Sequence, residues 1–169
     1  MTRDEEAGGG EPTIRLLGRP GDLGWVVMAH GEMYAAEFGF DTEFEALVAK
    51  IVADYAAGPD PRREAAWIAE ADGERVGSIL CVRKSDTVAQ LRLLYVDPAA
   101  RGLGIGGKLV EECLRFARAA GYTEIMLWTN SVLAGARRIY ERAGFTLQDE
   151  EPHHSFGADL IGQNWSRPL

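Results

Sequence analysis

The run Leu94-Tyr95-Val96-Asp97-Pro98-Ala99-Ala100-Arg101-Gly102-Leu103-Gly104-Ile105-Gly106-Gly107-Lys108 decides how the rest of the chain is read. It passes from an apolar strand through a proline stop into a helix start. Glycines at 102, 104, 106 and 107 are more than a helix start requires, and each costs helix stability. Their use is backbone access: without side chains, the main chain can approach a ligand closely. The first amides of the helix have no partner inside it and point outward as donors. An anionic diphosphate satisfies such donors and meets the positive end of the helix dipole. Arg101 and Lys108 add cations in a chain whose formal net charge is -8.

Two familiar nucleotide readings fail on the neighbouring residues. Gly102, Gly104 and Gly107 match the spacing of the dinucleotide fingerprint. The strand before them, however, is the third of a meander and not the first of a parallel unit. Five residues separate Val96 from Gly102, and the next strand ends in Thr129-Asn130, with no carboxylate to hold a ribose. A phosphate loop is absent, since no glycine-lysine-serine or glycine-lysine-threonine triple occurs.

Upstream of the run, Thr13 to Leu17 is a first strand, and Pro20-Gly21-Asp22 is a stop followed by a helix cap. Trp25, Met28, Ala29, Met33 and Ala36 recur at helical spacing up to Gly39. A second helix from Asp41 or Thr42 buries Phe44, Leu47, Val48, Ile51, Val52 and Tyr55, and ends at Gly58-Pro59. Ala65 to Ala71 and Val76 to Arg83 are strands joined at Asp72-Gly73, a tight hairpin signal. Val88 to Val96 completes an antiparallel meander.

Downstream, Gly104 to Ala120 is a helix whose core face is Ile105, Leu109, Cys113, Phe116 and Ala120. Ile125 to Trp128 is a short run apolar on both faces, expected as a central buried strand. Val132 to Ala143 is a helix stopped by Gly144, and two strands follow, Phe145 to about His154 and Asp159 to Trp165. The acidic, glycine-rich opening is expected to be a tail over residues 1–12, with one domain over 13–169.

Composition narrows the function. Apolar content of 46% and charged content of 26% fit a globular domain. The acidic balance argues against a nucleic-acid partner. No apolar stretch is long enough to span a membrane, and no signal peptide is evident, so a cytoplasmic location is expected. Cys81 and Cys113 have no metal-ligand spacing and read as reduced core thiols.

On these residues the chain resembles the GNAT superfamily of acyl-CoA-dependent N-acetyltransferases. The likeness rests on Arg101, Gly104 and Gly106 after a strand ending in Leu94-Tyr95-Val96, and on Ala136 and Tyr140 followed by Gly144-Phe145. It implies an α+β (α/β sandwich) fold. The central sheet would be mixed and mostly antiparallel, with about seven strands splayed between the fourth and fifth, flanked by about four helices. A narrower likeness joins Gly21-Asp22-Leu23-Gly24-Trp25-Val26-Val27 and Tyr34-Ala35-Ala36-Glu37-Phe38-Gly39 with His153-His154-Ser155-Phe156-Gly157 and Gly162-Gln163-Asn164-Trp165. Together these are similar to the acetyltransferase module often fused behind MarR-type DNA-binding domains.

The resemblance implies acetyl-CoA as co-substrate, no metal, and direct transfer to a primary amine of a small molecule through a tetrahedral intermediate. Backbone of Leu94, Tyr95 and Val96 would pair with the pantetheine arm, and the Val96 amide would polarise the thioester carbonyl. The segment Arg101, Gly102, Leu103, Gly104, Ile105, Gly106, Gly107 and Lys108 would hold the diphosphate. Asn130, Ala136 and Tyr140 would complete the cofactor contacts, with the Tyr140 hydroxyl serving the leaving thiolate.

Some relatives place a glutamate six residues before the valine, and here that position is Gln90, which cannot take a proton. An asparagine that relatives place seven residues before the tyrosine is Leu133. Candidates for the base are therefore His30, Glu37, His153 and His154; the expected catalytic set is Tyr140, His30, Glu37 and His154. His30 and Glu37 share a helix face, and neighbours such as His153 and His154 on a strand face opposite ways, which argues against a metal pair. A homodimer is among the states the resemblance allows. The alternatives are a protein or peptide N-acetyltransferase and a non-catalytic acyl-CoA sensor.

Overall fold

A computed structural model describes residues 10–58 and 60–169. Most of the expected tail, residues 1–9, and the helix-ending Pro59 lie outside the described residues. The elements run β1 (Thr13–Leu16), α1 (Asp22–Phe38), α2 (Thr42–Ala56), β2 (Ala65–Ala71), β3 (Glu74–Arg83), β4 (Val88–Val96), α3 (Ile105–Ala119), β5 (Glu124–Asn130), α4 (Ala134–Arg142), β6 (Thr146–Ser155) and β7 (Ala158–Pro168). A single 3-10 turn at Pro98–Ala100, not foreseen in the sequence, links β4 to the glycine-rich bend.

Seven strands form one sheet in the order β1-β2-β3-β4-β5-β7-β6, antiparallel except for β4 and β5. That parallel pair is held only at Val88–Glu124, Ala89–Ile125 and Gln90–Met126. Beyond Gln90 the two strands separate, which opens the expected splay toward their C-terminal ends. A bulge in β4 assists: Ser78 faces Tyr95 but Leu80 faces Arg92, and Leu93 takes φ 52. The Ser78 hydroxyl donates to the Leu93 carbonyl and fixes the bulge.

Helices cover both faces of the sheet. α3 packs its Ile105, Leu109 and Cys113 face on Trp67, Ala69, Ile79, Cys81, Leu91 and Ile125. On the other face, Val26, Val48 and Val52 of α1 and α2 pack on Ile68, while Ile51 packs on Ala66 and Leu80. These helices lie over β2 to β4 and leave β5 uncovered on that side. The expectation that β5 is buried on both faces is therefore corrected. Ile125 and Leu127 are buried, but Trp128 is 44% exposed.

Candidate active site

The end of β4, the glycine-rich bend with α3, α4 and the end of α1 enclose a cleft of about 1010 Å³. In an antiparallel ladder, hydrogen-bonded and non-bonded pairs alternate. The Asp97 amide donates to the Val76 carbonyl, so the next pair, Gly77–Val96, is a non-bonded one. The Val96 amide consequently points away from β3, into the gap where β5 has parted.

At the base of the cleft the backbone amides of Gly102 through Gly107 have no hydrogen-bond partner among the described residues; the first helical bond is Lys108 to Gly104. Gly102 and Gly104 adopt φ 87 and 73, and a side chain at 102, 104 or 107 would project into open space. This is a cradle of donors at a helix N-terminus, and it fits a diphosphate.

Charge agrees. Among the described residues, Arg101, Lys108, Arg118, Arg142 and Arg167 line the cleft against two carboxylates, Glu37 and Glu111. In a protein of net charge -8 this concentrates positive charge where an anion would lie. Lys108 and Arg118 stand ten residues apart on α3, about 15 Å along the helix. Reading along the chain missed Arg118, Arg142 and Arg167, because each comes from a different element.

The residues expected to hold the cofactor divide as follows. Leu94, Tyr95, Val96, Arg101, Gly102, Gly104, Ile105, Gly106, Gly107, Lys108 and Ala136 all line the cleft, as does Leu133. Leu103 is 54% exposed and turns outward from it. Asn130 is buried at the end of β5 and is engaged elsewhere: its Oδ1 accepts from His153 Nε2 at 2.8 Å.

The expected acid–base set is also redistributed. Tyr140 is buried, edge-on to Phe145, and its hydroxyl has no partner among the described residues. Burial, then Tyr34 and Cys113 nearby, push its phenol well above the ordinary range, so it is a protonated donor at neutral pH. His30 is a core residue: Nδ1 donates to the Val26 carbonyl at 2.7 Å, and Nε2 is buried with no partner among the described residues. Burial, opposed by the Val26 bond, lowers its pKa to about 4.

Glu37 lines the cleft but is paired with Arg101 at 2.8 Å. His154 bonds Asp159 at 2.8 Å on the exposed face of β6, and is not brought into the site. His153, its neighbour, is the one turned inward.

The β6–β7 turn is fastened to the corner between α1 and α2. The Asp41 amide donates to the Phe156 carbonyl at 3.0 Å, and the Phe156 amide donates to Glu43 at 3.3 Å. Phe156 packs on Phe40 and Phe44 with ring centroids 5.2 Å apart. Among the described residues no cluster of three His, Cys, Asp or Glu side chains could hold a metal, and no helix is long and apolar enough to cross a membrane.

Residues 32–145 match the profile described as the acetyltransferase (GNAT) family. The chain is 37% identical over 90 residues to N-acetylaspartate synthetase of Xenopus tropicalis, covering 52% of this chain and 33% of that protein. It is 37% identical over 93 residues to N-acetyltransferase 8B of Homo sapiens, covering 52% of this chain and 41% of that one. The chain thus spans well under half of these relatives. An acetyltransferase from Streptococcus agalactiae superposes with a TM-score of 0.77 at 23% identity, over 94% of this chain and 99% of the other. A GNAT family acetyltransferase from Elizabethkingia anophelis, solved with acetyl-CoA bound, gives 0.66 at 16% identity over 94% and 99%. At such identities these two likenesses speak for the fold.

Proposed function

The chain belongs to the acetyltransferase (GNAT) family, and from that premise we propose that it transfers the acetyl group of acetyl-CoA directly to a primary amine of a small molecule. The observation that carries the reading is the row of unpartnered amides from Gly102 to Gly107 beside a cation-lined cleft. Those amides, with Arg101 and Lys108, would hold the diphosphate of acetyl-CoA. The backbone of Leu94 to Val96 would receive the pantetheine arm. Acetyl-CoA supplies the activated thioester; the chain supplies orientation and proton handling. The Val96 amide is aimed to donate to the carbonyl oxygen as it gains charge. The neutral amine nitrogen would bond the carbonyl carbon and the carbon–sulfur bond would break; the sulfur would take the Tyr140 proton, and the proton shed by the nitrogen as it becomes an amide would return to Tyr140.

The stapled β6–β7 turn supports a small acceptor over a protein surface, because it walls that side with Phe40, Phe44 and Phe156. Residues 13–169 are read as the acetyltransferase unit. The narrower likeness to modules fused to MarR-type regulators rests partly on residues outside 32–145, and it stays part of this proposal, as do a homodimer and a cytoplasmic location.

The test is mass spectrometry of amines after incubation with acetyl-CoA. The panel is phenethylamine, spermidine, L-aspartate and a hexapeptide with a free amino terminus, with release of free thiol followed in parallel. Acetylation of a small amine supports the proposal. Acetylation of the hexapeptide alone would favour the peptide reading, and binding of acetyl-CoA without any turnover would favour the sensor.

A further inference from the structure

His153, Ser155 and Gly162 have no part in the cleft, yet they belong to a second constellation on the α1 side of the sheet. Ile125 and Leu127 face α3, so Met126, Trp128 and Asn130 face the opposite way. Across β7, Asn130 pairs with Gly162 and Gly162 pairs with Glu151, while His153 pairs with Leu160. His153 therefore reaches diagonally across Gly162 to Asn130. A Cβ at 162 would lie 2.7 Å from the Trp128 ring, so the indole lies directly over Gly162 and only glycine admits it there. The result is a shelf floored by the half-exposed Trp128 ring, which rests on Gly162, and edged by Asn130 and His153.

The shelf carries a hydrogen-bonded chain. His153 Nε2 is 2.8 Å from Asn130 Oδ1, and Nδ1 is 2.9 Å from Ser155 Oγ. An amide oxygen only accepts, so Nε2 holds the hydrogen and Nδ1 accepts from the Ser155 hydroxyl. The Trp128 ring lies 5.4 Å from the imidazole and keeps an exposed face. The Asn130 carbonyl accepts from Leu133, which lines the cleft, so the shelf adjoins the site along the same turn. Charged groups facing it are Glu151 and Asp149 from β6, while the α1–α2 corner offers Asp41 and Glu43 near the turn. Asp149 is already bonded to Asn164.

We propose that this shelf seats the acceptor, a primary amine with an apolar body against Trp128, and that Ser155 and His153 remove its proton. The ammonium gives a proton to Ser155 Oγ as the Ser155 hydroxyl proton passes to His153 Nδ1. Asn130 Oδ1 then holds the imidazolium, and the freed nitrogen lone pair attacks the thioester carbon. The inference rests on the acetyl-transfer reading and names the acceptor side of that same site.

The test uses the full chain and whichever amine of the panel is acetylated fastest. H153Q is expected to lower kcat at pH 7 by about 100-fold and to remove the acid limb of the kcat/KM profile. Its Kd for acetyl-CoA by calorimetry should stay within about twofold. G162A should raise KM for the amine about tenfold or more, again with acetyl-CoA binding intact. Should H153Q fail to fold, S155A carries the same test with a loss of about tenfold in kcat. Unchanged kcat and pH profile in H153Q or S155A, an unchanged KM in G162A, or no turnover of any amine would overturn the proposal. Failure of the unsubstituted protein to bind acetyl-CoA would instead strike the transfer reading beneath it.

Discussion

His30 shows how burial decides what a histidine can do. It packs among Tyr34, Phe44 and Tyr95, and its pKa falls to about 4 from 6.5. Below pH 6.5 the unfolded chain binds a proton that the folded imidazole refuses until about pH 4. Stability is therefore lost as pH falls across that window, by up to about 3 kcal/mol. His30→Phe should escape this loss: urea midpoints of the two proteins should diverge in the variant's favour from pH 7 to pH 4.5. Glu37 makes a second case, since its ion pair holds the Arg101 guanidinium that an incoming diphosphate would use. Glu37→Gln should tighten acetyl-CoA binding about threefold or more by calorimetry, an effect that fades in high salt. Neither pairing is visible along the chain. His153 and His154 could be told apart only by the register of β6 on β7, which shifts between Leu147 and Asp149.

Among elements, α1 is anchored by a carboxylate that the sequence suggests only as a helix cap. Gly21 takes the cap position, while Asp22 is fully buried and bonds Arg15 at 2.8 Å and Arg75 at 2.9 Å, together with the Gly18 and Arg19 amides. The Arg15 bond foremost, against burial, holds its carboxyl far below the ordinary 3.8. Its stabilisation is full above pH 3.8 and declines as pH falls from there toward the native value. Asp22→Asn should cost about 3 kcal/mol at neutral pH, because Arg75 loses its carboxylate and Arg15 is left with Glu70 alone. The gap in urea midpoint from the unsubstituted protein should be equal at pH 7 and pH 5 and narrower at pH 3. The Asp72-Gly73 hairpin, the helix-ending glycines and the order of strands and helices were all legible, since each rests on local chemistry. The β4 bulge at Leu93 and the open face of β5 were not, because both depend on which partner covers a strand.

Over the whole molecule, charge is divided. The protein is acidic, while five cations from α3, α4, β7 and the glycine-rich bend meet around one cleft. The unpartnered amides and the glycine access of the bend were legible, because both follow from residue order. The remote arginines and the shelf on Gly162 needed the fold to bring them together. The central claim is that the Gly102–Gly107 amides bind a diphosphate, and calorimetry with coenzyme A and with pantetheine, which lacks the phosphates, tests it most directly. Coenzyme A should bind at micromolar or lower Kd, with pantetheine weaker by about 100-fold or more, a difference of about 2.7 kcal/mol. Equal affinities for the two, or no heat with coenzyme A, would contradict the account.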